Sequence, residues 1–291
     1  VRDRIRYVAP DDDLNYDVIG MLLLEQHGPN FTRDDVVDIW LRNLSPGWTF
    51  GPERTLLLKA ATYTLSGESE RPLERWVSHW NPGNELCGAA IRVDAYGYAC
   101  AGRPALAAEL AWRDASWTHR RTGIYGAMFI AAAIASAFVL EDRIAIFETA
   151  LQFVPQQSRF YEITADCLAM VRGATDWLDG YRRIHGAYGE YGHCRLYQEV
   201  GTLINTMRFA PDIATGLGMQ VAQGNDTDCF GEIAGSLLGA YFGPGNLDQR
   251  WLAPLKDEIR TAVAGFHEHS LSAVAKRMGA LPGRVEAALG G

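Results

Sequence analysis

Lysine is almost missing from this chain: Lys59, Lys256 and Lys276 are the only three, so 24 of the 27 basic residues are arginine. That bias carries no functional reading by itself. A basic excess is missing too. Asp and Glu number 35 against 27 Lys and Arg, and the net charge is −8, which excludes binding to nucleic acid through a phosphate-neutralising surface. Cysteine is sparse and unpaired in pattern. The five (Cys87, Cys100, Cys167, Cys194, Cys229) are odd in number and form no CxxC, which argues against a disulfide scaffold or a zinc ribbon and for a reducing, cytoplasmic setting. The start lacks an apolar leader, because Arg2, Asp3, Arg4 and Arg6 run directly into Pro10. Strand signals are scarce: no long apolar–polar alternation occurs, and no Asn-Gly hairpin.

What is present is apolar and helical. The chain has 291 residues, 48% of them hydrophobic and 21% charged, so it is no disordered chain and is long enough to bury a sizeable core. From 122 to 140 no charged residue occurs. At about 1.5 Å per residue that stretch reaches across a bilayer. Its Ala and Gly content, its flanking Arg120, Arg121, Glu141 and Asp142, and the lack of a second such run favour a buried core helix, and no membrane is expected as a partner. Helical periodicity with caps and breakers predicts helices over 14–27, 32–44, 53–66, 105–113, 122–140, 142–153, 158–172, 175–186, 197–208, 211–222, 229–241, 255–266 and 270–278. Thr32 reads as an N-cap and Pro104 as a first helical residue. The expected architecture is one all-α, multi-helix domain over 1–291.

Two acidic runs carry the chemistry. Asp11-Asp12-Asp13 opens the first helix, and Asp226-Thr227-Asp228 precedes a small-residue helix. Each taken alone reads first as an N-cap turn, since Asp is an ordinary N-cap. If they meet, they supply up to five carboxylates, a hard oxygen set that selects Mg²⁺, Mn²⁺ or Ca²⁺ over zinc, with room for two ions about 3.5–4 Å apart. Several other residues have two readings. Arg92 is a phosphate contact or a structural anchor. Tyr96 and Tyr98 stack on a base or pack in the core. Asp94 is a third site carboxylate. His119 is a site residue or a buried structural histidine. His193, beside the Gly189–Gly192 loop, is a rim residue placed to touch substrate.

In order and spacing these runs resemble the ADP-ribosylglycohydrolases. Pro10-Asp11-Asp12-Asp13-Leu14 is similar to the family's early Thr-Asp-Asp-Thr motif. Gly88-Ala89-Ala90-Ile91-Arg92 resembles its central Gly-Asn-Gly-x-Ala-Met-Arg loop, and Thr118-His119 falls where the family has Thr-His. GNDTDCFGEIAGSLLGAYFG over 224–243 resembles the late Gly-Gly-Asp-Thr-Asp-Thr signature. The resemblance implies an all-α fold with two Mg²⁺ (or Mn²⁺). It places Asp11, Asp12, Asp13, Asp226 and Asp228 at the metals, with Asp228 as bridge and Asp12 or Asp226 as the base that deprotonates water. It implies substrate contacts from Gly88, whose loop receives a diphosphate through backbone N–H groups, and from Arg92, Tyr96, His119 and His193. The implied activity is hydrolysis of a ribosyl glycosidic bond in an ADP-ribosylated protein or a small ribosyl substrate. A hydrolase of nucleoside-like compounds and a non-catalytic ADP-ribose binder are the alternatives. Cys229 stands where the family has a Thr ligand, and Cys87 where it has Asn. The family's upstream Gly-Asp…Glu motif is not in the chain, which begins at Val1, so an upstream N-terminal segment is expected to be missing.

Overall fold

The computed structural model of the protein describes residues 4–66 and 71–290; Arg2 and Asp3 lie outside the described residues. Secondary structure follows the caps. Helix α1 (Asp12–His27) starts at N-cap Asp11, whose carboxylate accepts from Leu14 N–H at 3.0 Å, and stops at Gly28 with φ 63°. Helix α2 (Arg33–Asn43) starts with a capping box between Thr32 and Asp35. Helices α3 (Gly51–Thr64) and α4 (Leu73–Ser78) follow, then a 3₁₀ segment (Cys87–Arg92) and the short α5 (Asp94–Ala99). Helix α6 (Pro104–Ala115) starts on the proline.

The charge-free stretch is α7 (Thr122–Ala137), buried along nearly its whole length. It packs on α5, α6, α8 (Arg143–Leu151), α9 (Arg159–Arg172), α13 (Cys229–Phe242) and the Cys87–Arg92 segment. Small residues permit that crowding: a Cβ added at Gly97 of α5 would lie 2.6 Å from Ile134 Cβ. No helix among the described residues is long and apolar enough to cross a membrane. Helices α10 (Trp177–Tyr188), α11 (Tyr197–Phe209) and α12 (Ile213–Ala222) complete the second half against α9 and α13. Helix α14 (Gln249–Leu252) and the pair α15 (Leu271–Gly279) and α16 (Leu281–Leu289) end the chain. The all-α reading holds, and the molecule is a single helical domain.

One expected helix is absent. The segment 255–266 leaves a 3₁₀ turn (Ala253–Leu255) through two left-handed residues, Lys256 (φ 52°) and Asp257 (φ 59°), and runs extended. It bridges Val8 through Ile259 and Ser270 through Glu258. Asn15 of α1 and Asn43 of α2 hold its backbone, accepting from Ala262 N–H at 2.8 Å and Gly265 N–H at 3.0 Å. Side chains distant in sequence therefore override its local helical pattern.

Behind the start of α1, three carboxylates from three helices meet. Oxygens of Asp17 (α1), Asp94 (α5) and Glu232 (α13) lie within 4.8 Å of one another. Ser236 hydrogen-bonds Asp94 and Glu232, and Tyr98 donates to Ser236 Oγ at 2.5 Å. Burial raises all three carboxyls above their ordinary range, and repulsion by Asp94 raises Asp17 and Glu232 further. Asp17 Oδ1, Asp94 Oδ1 and Glu232 Oε2 have no hydrogen-bond partner. A carboxyl raised in the fold ionises first in the unfolded chain, from about pH 4, so its contribution to stability falls as pH rises above that point. Replacing Glu232 with Gln should raise the melting temperature at about pH 8 and change it little at about pH 5. A gap that is the same at both pH values would contradict a raised Glu232 carboxyl.

Candidate metal centre

Three loops or helix starts build the site. The first is the N-terminus of α1, whose free N–H groups favour nearby negative charge. Asp11 is exposed and its carboxylate serves Leu14 N–H; Asp12 is half-buried and Asp13 buried. The second is the loop before α13. Gly224 (φ 81°) and Asn225 (φ 61°) are both left-handed and turn the chain so that Asp226 is buried and Asp228 exposed. Asp228 occupies the N-cap position of α13, yet its side chain makes no cap hydrogen bond. Its carboxylate is therefore not consumed by the helix. The third is the loop at 193–196, where Cys194 (φ 62°) and Leu196 (φ 70°) are left-handed.

One buried side chain ties two of these pieces together. Glu199, near the start of α11, accepts from Cys194 N–H (3.1 Å), Leu196 N–H (3.2 Å) and Asp226 N–H (3.1 Å). Burial pushes its carboxyl up to about 7 against those three donors. Sequence reasoning missed Glu199; leucine at the N-cap offers no side-chain acceptor, and the carboxylate's other partners, Cys194 and Asp226, come together only in the fold.

The acidic runs from opposite ends of the chain meet. Ligand atoms of Asp12, Asp13 and Cys229 lie within 4.8 Å of one another, as do those of Asp226, Asp228 and Cys229, of Cys87, Cys194 and Asp226, and of His193, Glu199 and Asp226. They surround a cavity of about 320 Å³ lined by Asp12, Asp226, Asp228, Gly88 and His193, with Glu53 and Tyr16 in its wall. The electrostatics are those of crowded acids. Burial, with Asp12 and Asp11 beside it, pushes Asp13 up to about 8. Burial likewise raises Asp12. The hydrogen bond to Asp226 raises Asp228; burial works to raise Asp226 too, but bonds from Cys194, Asp228 and Cys229 hold it below the usual range. The two carboxyls are thus pushed in opposite directions by their mutual hydrogen bond. Asp13 Oδ1 is buried without a hydrogen-bond partner. An orphaned buried oxygen among clustered carboxylates is a donor set that fits divalent cations.

Of the other predicted residues, Asp11 belongs to none of these ligand groups among the described residues. Arg92, Tyr96 and His119 are not cavity residues; each is fully buried. Arg92 is spent on protein partners: Nε donates to Asp114 at 2.8 Å, Nη2 to Thr118 Oγ1 at 2.7 Å and Nη1 to Glu53, with its guanidinium over the Trp40 ring. Tyr96 donates to the other Asp114 oxygen at 2.5 Å. His119 Nδ1 pairs with Thr118 Oγ1 at 2.8 Å, and burial, then Arg92, lowers its pKa so that the ring is neutral. The expectation that these three touch substrate is corrected: they are a buried truss beneath the central loop. Asp94 lies in the buried carboxyl group described above. Tyr98 binds Ser236 there rather than facing the cavity.

Gly88 joins truss and cavity. A Cβ there would lie 2.8 Å from both Glu53 carboxylate oxygens, so only glycine lets the loop lie on that residue. Glu53, held by Arg92 and pushed up to about 7 by burial, was not singled out in the sequence; its partners are too far along the chain to form a local signal. Replacing Arg92 with Leu leaves Glu53 and Asp114 buried without their cation, which should cost about 3–5 kcal/mol of stability in urea unfolding. Unchanged stability with weakened substrate binding would restore the phosphate-contact reading.

The profile of the ADP-ribosylglycohydrolase family matches residues 9–281. No curated protein gives a significant match to the chain.

Proposed function

The chain belongs to the ADP-ribosylglycohydrolase family, and from that premise we propose that its acidic cavity hydrolyses a ribosyl glycosidic bond in an ADP-ribosylated substrate. The observation that carries this reading is that Asp12, Asp226 and Asp228 line one cavity and that Cys229 lies within ligand distance of both acidic runs, Asp12–Asp13 and Asp226–Asp228. We assign these four carboxylates to two divalent ions, Mg²⁺ or Mn²⁺, with Asp228 as the shared ligand. Ions held there would neutralise the acids, bind ribose hydroxyls and lower the pKa of a coordinated water. The side chains do the remaining work. Asp12, or Asp226 across the cavity, takes the proton of the water that attacks the oxocarbenium-like anomeric carbon. Gly88 brings backbone close to the substrate. His193 closes the rim.

A second cavity of about 520 Å³ shares Leu86 with the first and is lined by Arg159, Arg195, Tyr191 and Tyr197. Both arginines are exposed. They provide the positive charge for a diphosphate that Arg92 does not, and the tyrosine pair, with ring centroids 4.7 Å apart, offers an apolar face for adenine. One observation favours the smaller-substrate alternative: the first cavity, about 320 Å³, has neither Arg nor Lys in its wall. Arg195→Ala separates the two. It should raise KM for ADP-ribosyl substrates about tenfold with little change in kcat, and leave a nucleoside substrate unaffected; an unchanged KM for ADP-ribosyl substrates would remove the diphosphate assignment and favour the smaller substrate. Asp228→Asn should abolish metal binding and turnover together, and full activity in that variant would remove the bridge assignment. Tight ADP-ribose binding without turnover in Mg²⁺ or Mn²⁺ would make the protein a binder rather than an enzyme.

A further inference from the structure

Three of the five cysteines reach the same cavity from distant positions, Cys87, Cys194 and Cys229, and none is in a disulfide. Cys194 Sγ lies 2.9 Å and Cys87 Sγ 3.5 Å from the same oxygen, Asp226 Oδ2. His193, adjacent to Cys194, has a ring nitrogen within 4.8 Å of Asp226 as well. Two sulfurs and a carboxylate therefore gather on one side of the cavity, with the imidazole near the same carboxylate. The Asp12–Asp13 side has carboxylates with one thiol, Cys229.

These donors differ in kind. Thiolate and imidazole favour zinc-like borderline ions, whereas Mg²⁺ takes oxygen. We propose that Cys87, Cys194 and Asp226 form a thiophilic position for a Zn²⁺-class ion in place of one of the two Mg²⁺ or Mn²⁺ ions proposed above, next to a harder position at Asp12, Asp13 and Asp228. Three protein ligands with a fourth position open is a set that zinc takes. The donors are also pre-set. Glu199 fixes the backbone of Cys194, Leu196 and Asp226 together, and the left-handed backbone of Cys194 and Leu196 is a local cost borne where those donors are aimed. On binding, each thiol gives up its proton to solvent, and the ion's charge offsets the thiolates and Asp226. Without an ion, the two thiols simply donate to Asp226.

This inference rests on reading the cavity as a metal centre but needs no turnover. The full chain, reduced and stripped with chelator, is titrated with Co²⁺, and the thiolate-to-cobalt charge-transfer absorption is followed. The expected result is one equivalent of Co²⁺ carrying that absorption. Equimolar Zn²⁺ should displace it, while about a hundredfold excess of Mg²⁺ should not. Cys194→Ser, at a partly exposed position, should lose the absorption, and Asp12→Asn should keep it. Zn²⁺ should also shield Cys194 from alkylation in the unaltered protein, so the outcome does not hang on one variant's folding. Co²⁺ bound without the absorption, or displaced by Mg²⁺, would overturn the thiophilic position and leave a carboxylate-only hydrolase standing. Failure to bind Co²⁺, Zn²⁺ or Mn²⁺ at all would bring down both.

Discussion

Carboxylates repel one another most where water is scarce. At an effective dielectric near 20, two unit charges about 4 Å apart cost about 4 kcal/mol, and this cavity gathers Asp12, Asp226 and Asp228, with the buried Asp13 beside Asp12. The crowding shows in the acids themselves: burial and neighbouring carboxylates push Asp13 up to about 8, and the bond to Asp226 raises Asp228. The thiols of Cys194 and Cys87 lend hydrogen bonds to Asp226. A divalent cation answers the same repulsion more completely, and the carboxylates then become ligands rather than a liability.

The fold serves to bring these acids together and keep them there. Helix α7 is small enough on every side to let α5, α6, α8, α13 and the central loop close around it. The buried Arg92, with Glu53, Asp114 and Thr118, stiffens the floor on which Gly88 rests. Glu199 fastens the Cys194 loop to the Asp226 loop through three backbone N–H groups. The left-handed residues Cys194, Leu196 and Asn225 sit in these tied segments, where neighbouring bonds over-determine a costly backbone.

Local chemistry made much of the fold legible in the sequence. The caps at Thr32 and Pro104, the break at Gly28 and the charge-free α7 are written in adjacent residues. The two Asp runs were legible as a potential metal site, because clustered carboxylates need compensation wherever they occur. The segment 255–266 was not, since its shape is imposed by Asn15 and Asn43 from far away. Short helices such as α4 and α14 hold too few turns to show a period. Arg92, Tyr96 and His119 failed for the same reason as 255–266: whether a polar residue faces substrate or core depends on partners such as Asp114 and Glu53 that only folding brings close. The convergence of Cys87 with Cys194 is likewise a tertiary fact, invisible in spacing.

Whether the two Asp runs hold ions in common is tested most directly by anomalous diffraction from crystals soaked in Mn²⁺. Manganese is predicted between Asp12 and Asp13 on one side and Asp226 and Asp228 on the other, within ordinary coordination distance of their oxygens. A fully reduced, well-ordered crystal that takes up no manganese between those carboxylates would contradict the shared metal centre.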